Sequence, residues 1–593
     1  MGVKGLSSLL DSNREISPDI HFRDSKLVVD GNNLLYHLYF LSNLDQNHGG
    51  EYLAFRVRVK AFFTTLANCK IEPYVVMDGG SGTSDIKLDT LMDRARAKVK
   101  KVHDAALTGR KSNILPPLTK LVFRQTLSDM EVPLVKCFGE ADCQLAALAS
   151  EWRCPVLSTD SDFYIFDLPG GLLHLDHFRW DGVQTSRGIP CKRYTTSNFC
   201  TFFNIDRQLL PVFASLAGND YINLKEMRWA KFLPVGRQHE TSWSAGLEGL
   251  LRWLRAFHTT EDSLTAAMKL MPNMSQQAQA MVRMAMLEYQ LPSSTLRGFF
   301  SEGTVPLLPA EMLIRVPDWV RAPLARGDLS GDVLDILVHK RNKLQTQVER
   351  SDLQSSNLPS KYIRQVLYGL LLGQEGGGVE EVDRVRQGLD KAMVQPVVQG
   401  AAKKLRRDSL PQADHAVRLQ VCLETLGVKE EMLQGVPDHL RLPVAVTCYW
   451  LRRASPEPTL LKALLMVMVQ GELNRRNGLS TSWQGDTNHI SQPLDGVVAH
   501  SFNQWQACMK DASQLNLLLC MPLPKPHYAW LYQGRLVHRQ MKQLQRREPE
   551  EHSADFTSLY RSLLEAVTQP DPGANRGAEA QLRAKMDNLQ LNT

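Results

Sequence analysis

Apolar residues follow two rhythms along the chain. Up to about residue 225, short β-branched runs alternate with longer stretches of helical period. The strand candidates are "KLVVD" (26–30), "PYVVMD" (73–78), "PLVKC" (133–137), "CPVLSTD" (154–160) and "GLLHLD" (171–176). Between them lie "YLAFRVRVKAFFTTLANC" and "EADCQLAALASEW". Strands alternating with helices predict an α/β domain with a mostly parallel sheet flanked by helices. Beyond about residue 240 the rhythm becomes one amphipathic helix after another, as in "GLEGLLRWLRAFH" and "KYIRQVLYGLLLG". The expected architecture is therefore an α/β domain followed by a large all-helical C-terminal region. "GQEGGGVEE" (373–381) reads as a linker and "QGAAKKLRRDSLPQ" (399–412) as a loop. "TQPDPGANRGAEAQ", from residue 568, has the composition of a disordered tail. The expected divisions are 1–230, 231–372, a linker-rich 373–412, a helical 413–567 and a tail at 568–593.

Acidic residues punctuate the strand ends. Asp30 closes the first candidate strand and Asp78 the second, each followed by glycine. Asp160 closes the fourth, with Asp162 just behind it, and Glu140 and Asp142 open the helix after the third. Asp220, in "SLAGNDYI", ends an apolar helical stretch. Taken singly, each is good turn or helix-start chemistry. Taken together, they fall on the carboxyl rim of a parallel sheet, where ligands collect. Carboxylates crowded on one rim repel each other unless cations hold them, and hard oxygen ligands suit Mg2+ or Mn2+. Two such ions serve phosphodiester hydrolysis.

Charge sharpens this picture. The chain carries 69 Lys+Arg against 63 Asp+Glu, a net +6 over 593 residues. Between Lys87 and Lys111 stand eight Lys/Arg against three Asp, so nearly all of the excess is focused there. A charged run of this kind is either a solvated helix face or a phosphate-attracting surface. The ten cysteines form no CxxC pair, so neither a zinc ribbon nor a disulfide framework is indicated. The longest apolar run, "LLKALLMVMV" (460–469), is too short to span a bilayer and contains Lys462, so it reads as a buried helix with no membrane role.

In their order, "MGVKGL", "VVDGNNLLY", "VMDGG", "GEADCQLA", "STDSDF" and "LAGNDY" resemble the flap endonuclease/XPG-type nucleases, with a PIN-like fold. With its divergent helical half, the chain is most similar to the asteroid homologue branch of that superfamily. The resemblance implies a structure-specific DNA endonuclease of the nucleus, with the cytoplasm as a second compartment. DNA repair is the implied setting. The implied metal carboxylates are Asp30, Asp78, Glu140, Asp142, Asp160, Asp162 and Asp220, holding two Mg2+ or Mn2+ ions. Asp142 stands where the family usually has glutamate, so water-mediated metal contact is expected there. The family's N-terminal glycine corresponds to Gly2, and its base-stacking aromatic to Tyr36, for which a core tyrosine is the alternative. The basic segment stands where the family carries an arch or gateway, here about 84–132. Lys87 and Arg94 have the phosphate-steering spacing, and Arg96, Lys98, Lys100 and Lys101 add to the nucleic-acid surface.

The departures from the family pattern redirect the substrate. The family's glycine-rich hairpin for duplex DNA is replaced by "INLKEMRWAKFLPVGRQHETSW", in which Gly236 is the only glycine. Single-stranded or overhanging DNA is therefore expected as substrate, with branched DNA as the family's alternative. No PCNA-binding pattern of paired aromatics occurs in "AQLRAKMDNLQLNT". Protein partners, if any, are expected on the helical C-terminal region. A non-catalytic nucleic-acid-binding scaffold, connected with signalling, and an RNA-directed PIN-like nuclease are the two rival readings.

Overall fold

The computed structural model describes residues 2–11, 13–82, 88–218, 243–270, 276–479, 494–546 and 551–569. Its centre is the strand β2 (Ser25–Asp30), where Leu27, Val28 and Val29 are wholly buried. A continuous apolar run of this kind belongs to a parallel strand covered on both faces. Around it are β1 (Asp19–Phe22), β3 (Ile71–Met77), β4 (Leu134–Lys136), β5 (Val156–Ser158), β6 (Leu172–His174) and β7 (Ile189–Tyr194). The seven strands are ordered β1-β7-β6-β5-β2-β3-β4. Pairing from β6 to β4 is parallel, whereas β7 runs antiparallel to both β6 and β1. The mostly parallel sheet expected from the sequence is thus present, and β1 and β7 form an antiparallel margin that its apolar rhythm does not announce.

The chain divides into two compact units, each discontinuous in sequence. The first comprises Met1–His37, Ala61–Leu91 and Glu131–Leu307; the second comprises Leu38–Lys60, Met92–Met130 and Leu308–Thr593. In the first unit, the helices Trp243–Leu254, Thr260–Leu270 and Gln276–Leu287 bury Leu250, Leu264 and Val282 in the same core as Val28, Val156 and Leu145. The helices that follow the acidic motifs therefore complete the core of the sheet unit.

The second unit is mainly helical. Its long helices include Asp438–Ala454, Pro458–Arg476 and Gly496–Leu518, and Trp450 and Trp505 are fully buried. Pro458–Arg476 contains the "LLKALLMVMV" run, buried at every position from Ala463 through Val469. No helix among the described residues is long and apolar enough to cross a membrane. Among the described residues no disulfide joins any of the cysteines.

One expectation is corrected here. The segment expected to be linker-rich carries β9 (Val379–Val385) and β10 (Gly388–Val394), an antiparallel hairpin whose first strand pairs in parallel with β8 (Arg341–Lys343). The second half of the chain is thus not wholly helical. The expected loop at 399–412 forms two short 3-10 helices, Gly400–Lys404 and Arg407–Gln412.

"VEEVDRV" hides a strand because two of its four buried positions are charged. Glu381 and Arg384 are buried, and each meets a partner of opposite charge. Arg364 grips Glu381 with two bonds, Nε to Oε1 at 2.6 Å and Nη2 to Oε2 at 2.9 Å, and reaches Asp511 at 3.0 Å. Burial alone would lower the Arg364 pKa, but these acidic partners raise it well above its ordinary value. Tyr368 donates to Glu381 Oε1 at 2.6 Å, and Arg384 Nε donates to Glu349 Oε1 at 2.7 Å. Removing one partner of such a pair strands a desolvated charge. Arg364→Met is expected to cost about 3–5 kcal/mol in chemical denaturation. Arg96→Met, which breaks the exposed Arg96–Asp93 pair, should cost less than about 1 kcal/mol.

Candidate functional site

The strand order places the acidic motifs side by side. Adjacent parallel strands β5, β2, β3 and β4 lead at their carboxyl ends to Asp160, Asp30, Asp78 and Asp142 respectively. Asp30 is the last residue of β2 and is buried, where its Oδ1 accepts from the Asn33 N–H at 3.0 Å. Its Oδ2 accepts from the Ser158 hydroxyl at 2.8 Å. Burial, with help from the negative charges of Asp78 and Asp160, pushes the Asp30 pKa up to about 7. Asp78, exposed at the end of β3, accepts from the Ala141 N–H at 3.0 Å and from the Asn32 amide.

Asp142 is the first residue of the helix Asp142–Trp152, a position that favours a carboxylate near the helix N-terminus. Burial raises its pKa well above the ordinary value, and the charges of Asp160, Asp30, Asp78 and Asp162 add to the effect. Asp160 caps the short helix Ser161–Tyr164, accepting from the Asp162 N–H at 3.1 Å. Asp162 is buried, and its Oδ1 accepts from the Tyr289 hydroxyl at 2.7 Å. Asp142, Asp160 and Asp162 each offer a carboxylate oxygen, all within 4.8 Å of one another. Three carboxylate oxygens this close fit a hard divalent cation.

Other expected site residues have varied placements. Glu140 is exposed and lies outside that group of three. Asp220 and Lys87 lie outside the described residues, as do residues 222–242 of the stretch that stands in for the duplex-binding hairpin. Tyr36 is exposed on the helix Gly31–Leu41. Arg94, Arg96, Lys98, Lys100 and Lys101 lie on the helix Leu88–Thr108, in the part that belongs to the second unit. That helix buries Met92, Ala95, Val99, Val102 and Ala105 as one stripe. Partial desolvation, together with the like charges of Lys343, Lys120, Arg94 and Lys101, pushes the Lys98 pKa down to about 8. A crowd of cations is thus present there, and Lys120 and Lys343 join it without any signal in the sequence.

Gly2 is packed against the acidic turn. A β-carbon placed on it would lie 2.6 Å from the Asp162 amide nitrogen and 2.8 Å from Asp162 Oδ1, and would also meet the Ser161 hydroxyl. Sequence reasoning reaches Gly2 but misses Ser158, Asn32, Asn33 and Tyr289 as partners of the carboxylates. The asparagines stand in "VVDGNNLLY", directly after Asp30, where short polar side chains beside a metal-type acid are a readable signal. Tyr289 carries no local signal at all.

Residues 1–101 match the XPG N-terminal domain, and residues 473–574 match the Asteroid N-terminal domain. Single-strand DNA endonuclease ASTE1 of Danio rerio is 39% identical over 576 residues, spanning 92% of this chain and 82% of its own. The Homo sapiens protein of the same name is 36% identical over 592 residues, spanning 92% and 86%. Among solved structures, the catalytic core of Rad2 in complex with DNA substrate aligns with 57% of this chain and 98% of its own, at 16% identity and a TM-score of 0.30. A parallel α/β sheet with acidic residues gathered at its carboxyl rim, led by an XPG N-terminal segment, defines an XPG-type nuclease fold. Within that class the asteroid match and the two long alignments are decisive. The chain belongs to the asteroid homologue family that includes the ASTE1 proteins.

The packing and charge of this rim have measurable consequences. Asp30 has a folded-state pKa raised from 3.8 to about 7, so the folded state holds the proton more tightly than the unfolded chain does. Its contribution to stability is therefore present at low pH and is lost as pH rises through that interval. The increase in melting temperature on adding Mg2+ to chelator-treated protein should accordingly be larger at about pH 8 than at about pH 5. Gly2→Ala should shift the Asp162 turn, lowering Mn2+ affinity by about tenfold in calorimetric titration while the far-ultraviolet circular dichroism stays unchanged.

Proposed function

We propose that the chain is a metal-dependent endonuclease that hydrolyses phosphodiester bonds in single-stranded or overhanging DNA. The observation that carries this reading is the group of three carboxylate oxygens from Asp142, Asp160 and Asp162 within 4.8 Å of one another. Asp30 and Asp78, on the neighbouring strand ends, are the natural holders of a second ion. Held there, two Mg2+ or Mn2+ ions would supply water activation and charge stabilisation at the leaving oxygen. The names of the long ASTE1 relatives support single-stranded DNA as the substrate. A role in nuclear DNA repair is part of the same proposal, and protein partners would use the helical C-terminal region.

The chain's own residues do the positioning. Asn33 and Ser158 hold the two oxygens of Asp30, while the Ala141 N–H and Asn32 hold those of Asp78. These neutral donors orient the carboxylates and add no positive charge to compete with the cation. Arg94, Lys98, Lys100 and Lys101 supply cations on one helix, which attract a phosphate backbone in a salt-dependent manner. Tyr36, exposed, offers a ring on which an unpaired base can stack.

The decisive assay measures Mg2+-dependent cleavage of single-stranded, 3′-overhang, 5′-flap and duplex DNA, with single-stranded RNA alongside. Single-stranded or overhang DNA should be cut best, and Asp160→Ala and Asp162→Ala should each lower the rate by at least about 100-fold. Cleavage that survives both substitutions overturns the catalytic assignment. Preference for the flap overturns the substrate assignment, preference for RNA supports the RNA-directed rival, and binding without cleavage supports the scaffold.

A further inference from the structure

Tyr289 stands outside every acidic motif, yet it touches one of the three clustered carboxylates. It follows the helix Gln276–Leu287, and its N–H bonds to the Met286 carbonyl at 3.2 Å. Its hydroxyl donates to Asp162 Oδ1 at 2.7 Å, and its ring meets Phe166 at 5.4 Å between centroids. Both Tyr289 and Asp162 are buried, at 7% exposure each, so this bond is made largely out of water. The preceding residue reaches a second acidic turn: the Cys143 thiol donates to the Glu288 carbonyl at 3.0 Å, one position after Asp142.

The grip continues along the helix Asp142–Trp152. Ser294 N–H donates to Glu151 Oε1 at 3.0 Å, and the Thr295 hydroxyl donates to Gln144 Oε1 at 3.1 Å. Residues 288–295 therefore run along that helix while Tyr289 holds Asp162. One segment fixes two of the three clustered carboxylates relative to each other.

We infer that Tyr289 is a positioning residue for divalent-cation binding, setting the orientation of the Asp162 carboxylate from outside the acidic motifs. The inference rests on the reading of Asp162 as a metal ligand. A carboxylate with one oxygen bonded to a buried phenol loses rotational freedom, and its second oxygen is aimed in a fixed direction. Outer partners of this kind tune metal affinity through ligand geometry.

The test is calorimetric titration of Mn2+ into the full chain as wild type, Tyr289→Phe and Asp162→Asn, with thermal unfolding in chelator as the control. Tyr289→Phe keeps the ring against Phe166 and removes only the hydroxyl. It is expected to weaken Mn2+ binding about tenfold while melting close to wild type. Wild-type affinity in Tyr289→Phe beside a clear loss in Asp162→Asn overturns this inference alone. Wild-type affinity in both variants overturns the assignment of Asp162 as a ligand, and this inference with it. Should Tyr289→Phe melt far below wild type, with affinity unchanged in its folded fraction, the hydroxyl is structural and the inference fails.

Discussion

Mutual repulsion of carboxylates at the carboxyl rim of the sheet is the constraint on which the first unit is organised. Parallel pairing of β5, β2, β3 and β4 leaves no freedom to separate Asp160, Asp30, Asp78 and Asp142, because the strands that carry them are neighbours. Burial makes the conflict worse, raising the pKa of Asp30 and Asp142. Among the described residues, neutral donors hold several of these oxygens. Ser158, Asn32, Asn33, Tyr289 and backbone N–H groups each bond to a carboxylate oxygen. An arginine in the place of any of these would settle the charge and compete with a metal ion for the same oxygens. Donors without charge fix the geometry and keep the affinity for a cation.

The second unit solves the opposite problem. There, two buried carboxylates are paired with arginines within the protein: Glu381 with Arg364, and Glu349 with Arg384. Burial would raise the Glu349 pKa, but the neighbouring His500 and Arg384 bring it below its ordinary value. Full pairing of this kind serves structure, since a satisfied ion pair has little left to offer a ligand. Burial leaves the Asp30 and Asp142 pKa raised, whereas that of Glu349 ends lowered.

The same contrast explains how much is legible in the sequence. Strand ends rich in valine and closed by aspartate can be read directly, because a buried parallel strand has a continuous apolar signature. Asp30, Asp78 and Asp160 stand out in this way, and Asp142 and Asp162 stand out beside them. β9 escapes because two of its four buried positions are Glu381 and Arg384, which look like solvent-facing residues until their partners 17 and 35 positions away are known. β1 escapes for a related reason. Its four residues bury only Phe22, too little to stand out as a strand.

Tyr289 marks the limit of sequence reading most sharply. It lies 127 residues from Asp162, in a stretch whose period says only that a helix is ending. A tyrosine there is an ordinary core residue by pattern, and its ring does pack as one against Phe166. The polar tip gives it a second role, because a buried phenol needs a hydrogen-bond partner and the one it meets is an oxygen of the acidic cluster. The apolar body fixes the segment to the core, and the hydroxyl transfers that fixity to Asp162. Helices that follow the acidic motifs thus contribute to the site through packing, and the core of the unit and the geometry of its carboxylates are set by the same contacts.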